Sequence, residues 1–134
     1  MMIVYHAIVH KDEDSAWGVH FPDLPGCFSA ADDLADVQAN ASAAVMLYLE
    51  GEKAPKPSAI EKIRDMAADD LAEGAFLLAV PYIYVSNRPQ RINISIDRGV
   101  LDAIDAAAAS RKLTRSAFLT EAARNEIEGR HWAH

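Results

Sequence analysis

A chain of 134 residues has room for one ordinary domain or two small ones, and 51% hydrophobic against 25% charged residues excludes wholesale disorder. No apolar run reaches the roughly 20 residues of a membrane-spanning helix, and a single cysteine, Cys27, excludes an intrachain disulfide. The net charge of −7 is unevenly spread: residues 1–90 carry 6 Lys+Arg against 14 Asp+Glu, and residues 91–134 carry 7 against 6. An acidic front part, suited to a basic partner or simply to solubility, thus precedes a part that tolerates phosphate. The first residues, Met1-Met2-Ile3-Val4-Tyr5-His6, lack a basic region and a cleavage motif, so a cytoplasmic location is expected.

Along the chain, Ile3 to His10 alternates Ile3, Tyr5, Ala7 and Val9 with Val4, His6, Ile8 and His10, which predicts a first strand. Lys11-Asp12-Glu13-Asp14-Ser15 is a polar turn. Ala16 to Pro22 alternates again, with Trp17, Val19 and Phe21 on one face, and completes an antiparallel hairpin. Pro22-Asp23-Leu24-Pro25-Gly26 forces a turn, after which a short strand is expected around Cys27-Phe28-Ser29. Trp17 and Phe28 are expected in the core. A helix capped by Asp32 or Asp33 should bury a stripe of Leu34, Val37, Ala41, Ala44 and Tyr48 and stop at Gly51. Ser58-Ala59-Ile60-Glu61 has capping-box spacing, predicting a second helix from Ser58 towards Asp70. Ala75 to Val85 reads as a further strand, and Pro81 within it points to a sheet edge or a bulge.

Residues 87–90 form the expected linker between a module spanning residues 1–86 and one spanning 91–128, with residues 129–134 as a tail. Arg91-Ile92-Asn93-Ile94-Ser95-Ile96 alternates strictly, setting Arg91, Asn93 and Ser95 on one face and three isoleucines on the other. An isolated strand cannot bury that isoleucine face or satisfy its edges, and a second copy of the chain is the simplest partner. Arg98 to Arg111 should be helical, with Val100, Leu101, Ile104 and Ala108 inside. Lys112-Leu113-Thr114 is a short turn, and Thr114 caps a helix from Arg115 to about Glu128 whose inner residues are Phe118, Leu119, Ala122, Ala123 and Ile127.

A two-stranded ribbon built from the alternating segment is narrow enough for a DNA major groove. Arg91 can donate bidentately to guanine and Asn93 to adenine, with Ser95 less selective. Thr114, Arg115 and Ser116 offer hydroxyls, a cation and free backbone N–H groups to a phosphate. The dimer core expected on this reading is Ile92, Ile94, Ile96, Leu101, Ile104, Phe118, Leu119 and Ala122. Alone, an alternating strand is more often a solvated sheet face; the two helices and the three-residue turn shift the balance to DNA.

Other clusters point less far. Asp12, Glu13, Asp14, Asp23, Asp32 and Asp33 lie in turns or at caps, whereas a two-metal nuclease needs rigidly placed mid-strand carboxylates. His6 and His10 are four apart on a strand, without a cysteine or carboxylate in step, so no metal is expected. Cys27 follows a turn glycine and should be a small packing residue.

Strand, helix, three-residue turn, helix, with the wording Leu113-Thr114-Arg115-Ser116-Ala117-Phe118-Leu119, closely resembles the ribbon-helix-helix family. WGVHFPDLPGCF over Trp17 to Phe28, then the helix ending Leu47-Tyr48-Leu49-Glu50 and the Pro57-Ser58 opening, resembles the HicB antitoxins; with the tail, the resemblance covers about residues 3–128. The chain departs from that pattern at Ser29-Ala30-Ala31-Asp32-Asp33-Leu34, which lacks a Gly-Asp-Thr before the helix. The resemblance implies an α+β fold: an antiparallel sheet with two helices, a partial and degenerate ribonuclease-H-like module, followed by a small dimeric ribbon-helix-helix domain. It implies an antitoxin, not an enzyme, that binds and neutralises a HicA-type mRNA-cleaving toxin and represses its own operon. The expected partners are that small basic toxin, operator DNA and a second copy of the chain, with pairing of dimers left open; no cofactor, catalytic residue or membrane is expected. Asp23, Leu24 and Pro25 are the candidate toxin contacts, with the exposed edge of the hairpin. The competing readings are a ribbon-helix-helix regulator with a ligand-sensing front domain and a degenerate nuclease with residual hydrolysis.

Overall fold

A computed structural model describes residues 2–129, and the expected tail, Gly129 apart, lies outside the described residues. These divide into two compact units between Tyr84 and Val85, each described by itself. The first is a four-stranded antiparallel sheet in the order β3-β2-β1-β4, with β1 at Met2–Lys11, β2 at Trp17–His20, β3 at Phe28–Ala31 and β4 at Phe76–Ile83. The alternation in β1 decides its faces: Tyr5, Ala7 and Val9 are buried, in register with Val19 on β2 and Val80 on β4. Against this face lies α1, Val37–Tyr48, which contributes Val37, Ala41 and Val45, with Leu49 just beyond. Fully burying a valine of this kind stabilises by roughly 1.5–3 kcal/mol. This sandwich of sheet and helix is the unit's core.

Asp33 accepts from the Ala35 N–H at 3.3 Å, but it caps a single 3-10 turn, Leu34–Asp36, and α1 begins only after it. The turn rotates Leu34 out of the expected stripe, and Leu34 is 52% exposed. Tyr48 is likewise at the surface, its hydroxyl donating to the Pro25 carbonyl at 2.6 Å. Phe28, expected in the core, is 70% exposed, because it pairs with His20 on the face away from α1.

The helix expected from Ser58 to Asp70 is two short ones, α2 at Ile60–Met66 and α3 at Ala68–Ala72, with a break at Ala67. Its capping box does not form: Ala59 is the N-cap residue and makes no side-chain cap bond. Ser58 is held instead by Asp23. Ile63 and Ala67 are fully buried, as is Ile8 on the sheet face opposite α1.

β3 and β4 are the sheet edges, and each has one carbonyl met by an α1 amide: Asn40 donates to Ala30 at 2.9 Å and Gln38 to Ala79 at 3.4 Å. Pro81, opposite Val4, removes a donor from the β4 edge, the edge position its ring predicts. Blunted edges of this kind resist pairing with stray strands.

In the second unit α4 spans Arg98–Ser110 and α5 spans Arg115–Ile127. Asp97 caps α4, accepting from Gly99 and Val100 N–H at 2.9 and 3.2 Å. α4 ends in a six-to-one turn: Leu113 N–H donates to the Ala108 carbonyl at 2.8 Å and Lys112 N–H to that of Ala109 at 3.1 Å. Lys112 adopts the left-handed conformation (φ 57°) that this closure requires.

Candidate functional site

Residues 91–96, expected as a strand, have no ladder partner among the described residues. Their physical need is unchanged: Ile92 and Ile94 are 70% and 60% exposed, while Arg91, Asn93 and Ser95 are exposed as well. The expected dimer core follows the same pattern. Ile96, Leu101, Ile104, Phe118 and Leu119 are half-buried and Ala122 is exposed. Val100 and Ile127, expected inside their helices, are also exposed. Among the described residues of this unit, Ala108 is the one buried apolar side chain. A helix pair that hides so little cannot offset the entropy of ordering its backbone.

Two ion pairs stitch α4 to α5. Arg111 reaches Glu121 and lies over the Phe118 ring, 5.9 Å from its centroid. Arg115 grips Asp105 in a fork, Nε to Oδ1 and Nη2 to Oδ2, each at 2.9 Å. That hydrogen bonding holds the Asp105 carboxyl below its ordinary range and raises Arg115. Of the three expected phosphate contacts, Thr114 therefore accepts from the Ala117 N–H at 3.1 Å as a cap, Arg115 already has a partner, and Ser116 is exposed.

The first unit's Pro22–Cys27 segment is two successive turns, closed by Leu24 N–H to Phe21 at 3.1 Å and Cys27 N–H to Leu24 at 2.9 Å. Gly26, with φ 86°, supplies the positive dihedral of the second, a type II geometry with Pro25 before it. This turn folds inwards. Leu24 is 1% exposed and its side chain belongs to the core. Asp23 accepts from both the Ser58 N–H and hydroxyl at 2.7 Å, tying the turn to the 53–58 loop, which Tyr5 also grips through Pro55 at 2.6 Å. Of the three candidate toxin contacts Pro25 is exposed, Asp23 half-buried and Leu24 buried. The apolar side chains this unit does expose include Phe28, Leu34, Leu47 and Met66. For Phe28 one register step decides its face, and a three-residue strand in the sequence does not fix that step.

Burial raises the Cys27 thiol above its ordinary value, as fits a packing residue. Trp17 is partly buried and meets Phe76 edge-on, ring centroids 6.1 Å apart. The His10 and His20 rings lie 5.7 Å apart. The described residues hold no group of three His, Cys, Asp or Glu side chains that could bind a metal ion, and no helix among them is long and apolar enough to cross a membrane.

Comparison with known proteins places this architecture. An uncharacterised 14.9 kDa protein from the rep-hol intergenic region of Haemophilus phage HP1 is 30% identical over 133 residues, covering 93% of this chain and 98% of its own. The crystal structure of the Burkholderia pseudomallei antitoxin HicB superposes with a TM-score of 0.51 at 34% identity, over 93% of this chain and 96% of that one. A chain of the HicA3 and HicB3 toxin-antitoxin complex matches 58% of this chain and 95% of its own, at 27% identity and a TM-score of 0.48. Residues 5–123 match the family described as HicB-like antitoxin of bacterial toxin-antitoxin system. The four-stranded sheet with its helix, followed by two C-terminal helices, is thus a HicB-like fold, and the chain belongs to the HicB-like antitoxins, a family that is not one of enzymes.

Proposed function

We propose that this antitoxin neutralises a small basic HicA-type ribonuclease through its first unit and represses its own operon through its second, as a homodimer. On this reading the first unit is a partial ribonuclease-H-like fold without a catalytic site. The second is a ribbon-helix-helix domain in which residues 91–96 of two copies pair antiparallel. The observation that carries the proposal is the second unit's missing core: exposed Ile92 and Ile94 beside helices that bury only Ala108 among their apolar residues. Pairing two copies would cover those isoleucines and complete the edge of each strand, leaving Arg91, Asn93 and Ser95 outward as a base-reading face.

Charge favours the first half of the proposal, because the net −8 of residues 1–90 speeds encounter with a basic protein. Pro25 and Phe28, both exposed, replace the Asp23-Leu24-Pro25 set as the contacts to test. A ligand-sensing front domain has less to stand on. The groove of about 540 Å³ beside Ile3 is open and lined by Lys53, Ala54, Pro55, Lys56 and Pro57, which provide no buried polar group to orient a ligand.

The test is Asn93→Ala in the full chain, assayed by gel shift on the chain's own promoter and by copurification with the neighbouring toxin. Operator affinity should fall by the roughly 1–3 kcal/mol of one bidentate base contact while toxin capture is retained. Unchanged operator affinity would remove the base-reading role.

A further inference from the structure

Arg115 is the first residue of α5, and its guanidinium is held by a residue ten positions earlier on α4. The Asp105 fork fixes the plane of the group, since Nε and Nη2 each donate at 2.9 Å to a different carboxylate oxygen. An arginine has five N–H donors; two are used here, which leaves three on a side chain that is 56% exposed. Asp105 is 44% exposed, so solvent reaches both members of the pair. An exposed ion pair contributes little to stability. What a fork can do is restrict an otherwise mobile side chain before anything binds it.

We propose that Asp105 is a positioning residue for DNA binding: it holds the Arg115 guanidinium in one orientation, so that its unused N–H groups meet a backbone phosphate without further ordering. This rests on the second unit being a DNA reader. Two effects of Asp105 oppose each other. Its negative charge repels the phosphate backbone, but Arg115 at hydrogen-bond distance compensates it. Its hold on Arg115 removes the cost of freezing a long side chain at the moment of binding. Because the charge is compensated and the orientation is not otherwise supplied, the second effect wins.

The consequence runs against simple charge counting. Removing an acidic residue from a DNA-binding unit ordinarily tightens binding, whereas Asp105→Asn should weaken it about two- to tenfold, the equivalent of ordering one such side chain. The experiment measures binding of the full chain to a labelled duplex from its own promoter, by fluorescence anisotropy at several salt concentrations, with thermal unfolding in parallel. Arg115→Ala should lower the slope of log affinity against log salt by about 0.9, one phosphate contact. Asp105→Glu should recover part of the loss. The charge-exchanged double variant, Asp105→Arg with Arg115→Asp, should keep the ion pair and the melting temperature yet lose affinity, because the cation has left the start of α5. A merely structural pair predicts that the exchange restores both. Equal or tighter binding by Asp105→Asn, or recovered affinity in the exchanged variant, overturns the proposal. If the wild type does not bind its promoter at all, the DNA-reader reading itself fails, and this proposal falls with it.

Discussion

Asp23 accepts two hydrogen bonds of 2.7 Å from Ser58, 35 residues along the chain. Removing the carboxylate leaves the Ser58 N–H and hydroxyl without it in a partly buried place, so Asp23→Ala should cost about 1–3 kcal/mol in urea unfolding. Asp23→Asn, which keeps one acceptor oxygen, should cost less; equal stability of Asp23→Ala and wild type would end the clasp's structural role. This bond was not legible in the sequence. Ser58 and Glu61 have the spacing of a cap, and Asp23 sits in an exposed-looking turn, but a local pattern carries no information about a partner 35 residues away. Titration offers a second test at this scale. Burial and the neighbouring His10 lower the pKa of His20 below 6.5, against a smaller opposite pull from Asp70. The unfolded chain therefore takes up a proton near pH 6.5 while the folded chain does so only lower. Neutral His20 contributes its full stability above that pH and loses it as the pH falls. The melting temperature of His20→Gln should drop less than that of wild type between about pH 7.5 and 5.5; parallel curves would show that the fold does not lower the pKa of His20.

The elements divide by how much of their definition is local. β1 was readable because its period of two runs for eight residues, and α4 and α5 because helical apolar spacing, the Thr114 cap and the short turn agree with one another. Pro81 marked an edge since proline cannot donate into a ladder. α1 was readable over Val37 to Val45 but not at its ends, where a 3-10 turn exposes Leu34 and a bond to Pro25 draws Tyr48 to the surface. The break at Ala67 has no sequence signal, for alanine is the best helix former. The turn after α4 carries a testable cost. Lys112 holds a left-handed conformation that disfavours any residue with a Cβ by roughly 1–2 kcal/mol. Lys112→Gly should therefore raise stability, by about 1 kcal/mol or somewhat less once the flexibility of glycine in the unfolded chain is counted. Urea unfolding followed by helical circular dichroism measures it, and a lower midpoint for the glycine variant would mean that the lysine side chain contributes more than its backbone loses.

For the molecule as a whole, the contrast between its units carries the functional argument. The first has a continuous core from Tyr5 to Val80 and can stand on its own burial. The second exposes Ile92, Ile94, Val100 and Ile127 and must find its core elsewhere. The alternating isoleucines made that need visible in the sequence, whereas the apolar surface of the first unit, set by sheet register and by Phe28, was not visible there. If a second copy supplies the missing core, a charge placed on the isoleucine face has no tolerable location in the dimer. Each buried isoleucine contributes roughly 1.5–3 kcal/mol, two-fold symmetry counts every substitution twice, and an unpaired lysine in the seam adds a desolvation penalty. Ile94→Lys should therefore yield a monomer at micromolar concentration in sedimentation equilibrium and abolish promoter binding, while the first unit still unfolds cooperatively and still captures its toxin. Ile94→Val, which keeps the apolar face, should remain dimeric. Were the lysine variant to sediment as wild type does, the strand would have to be covered by something other than its own copy, and the two-stranded reader would lose its physical basis.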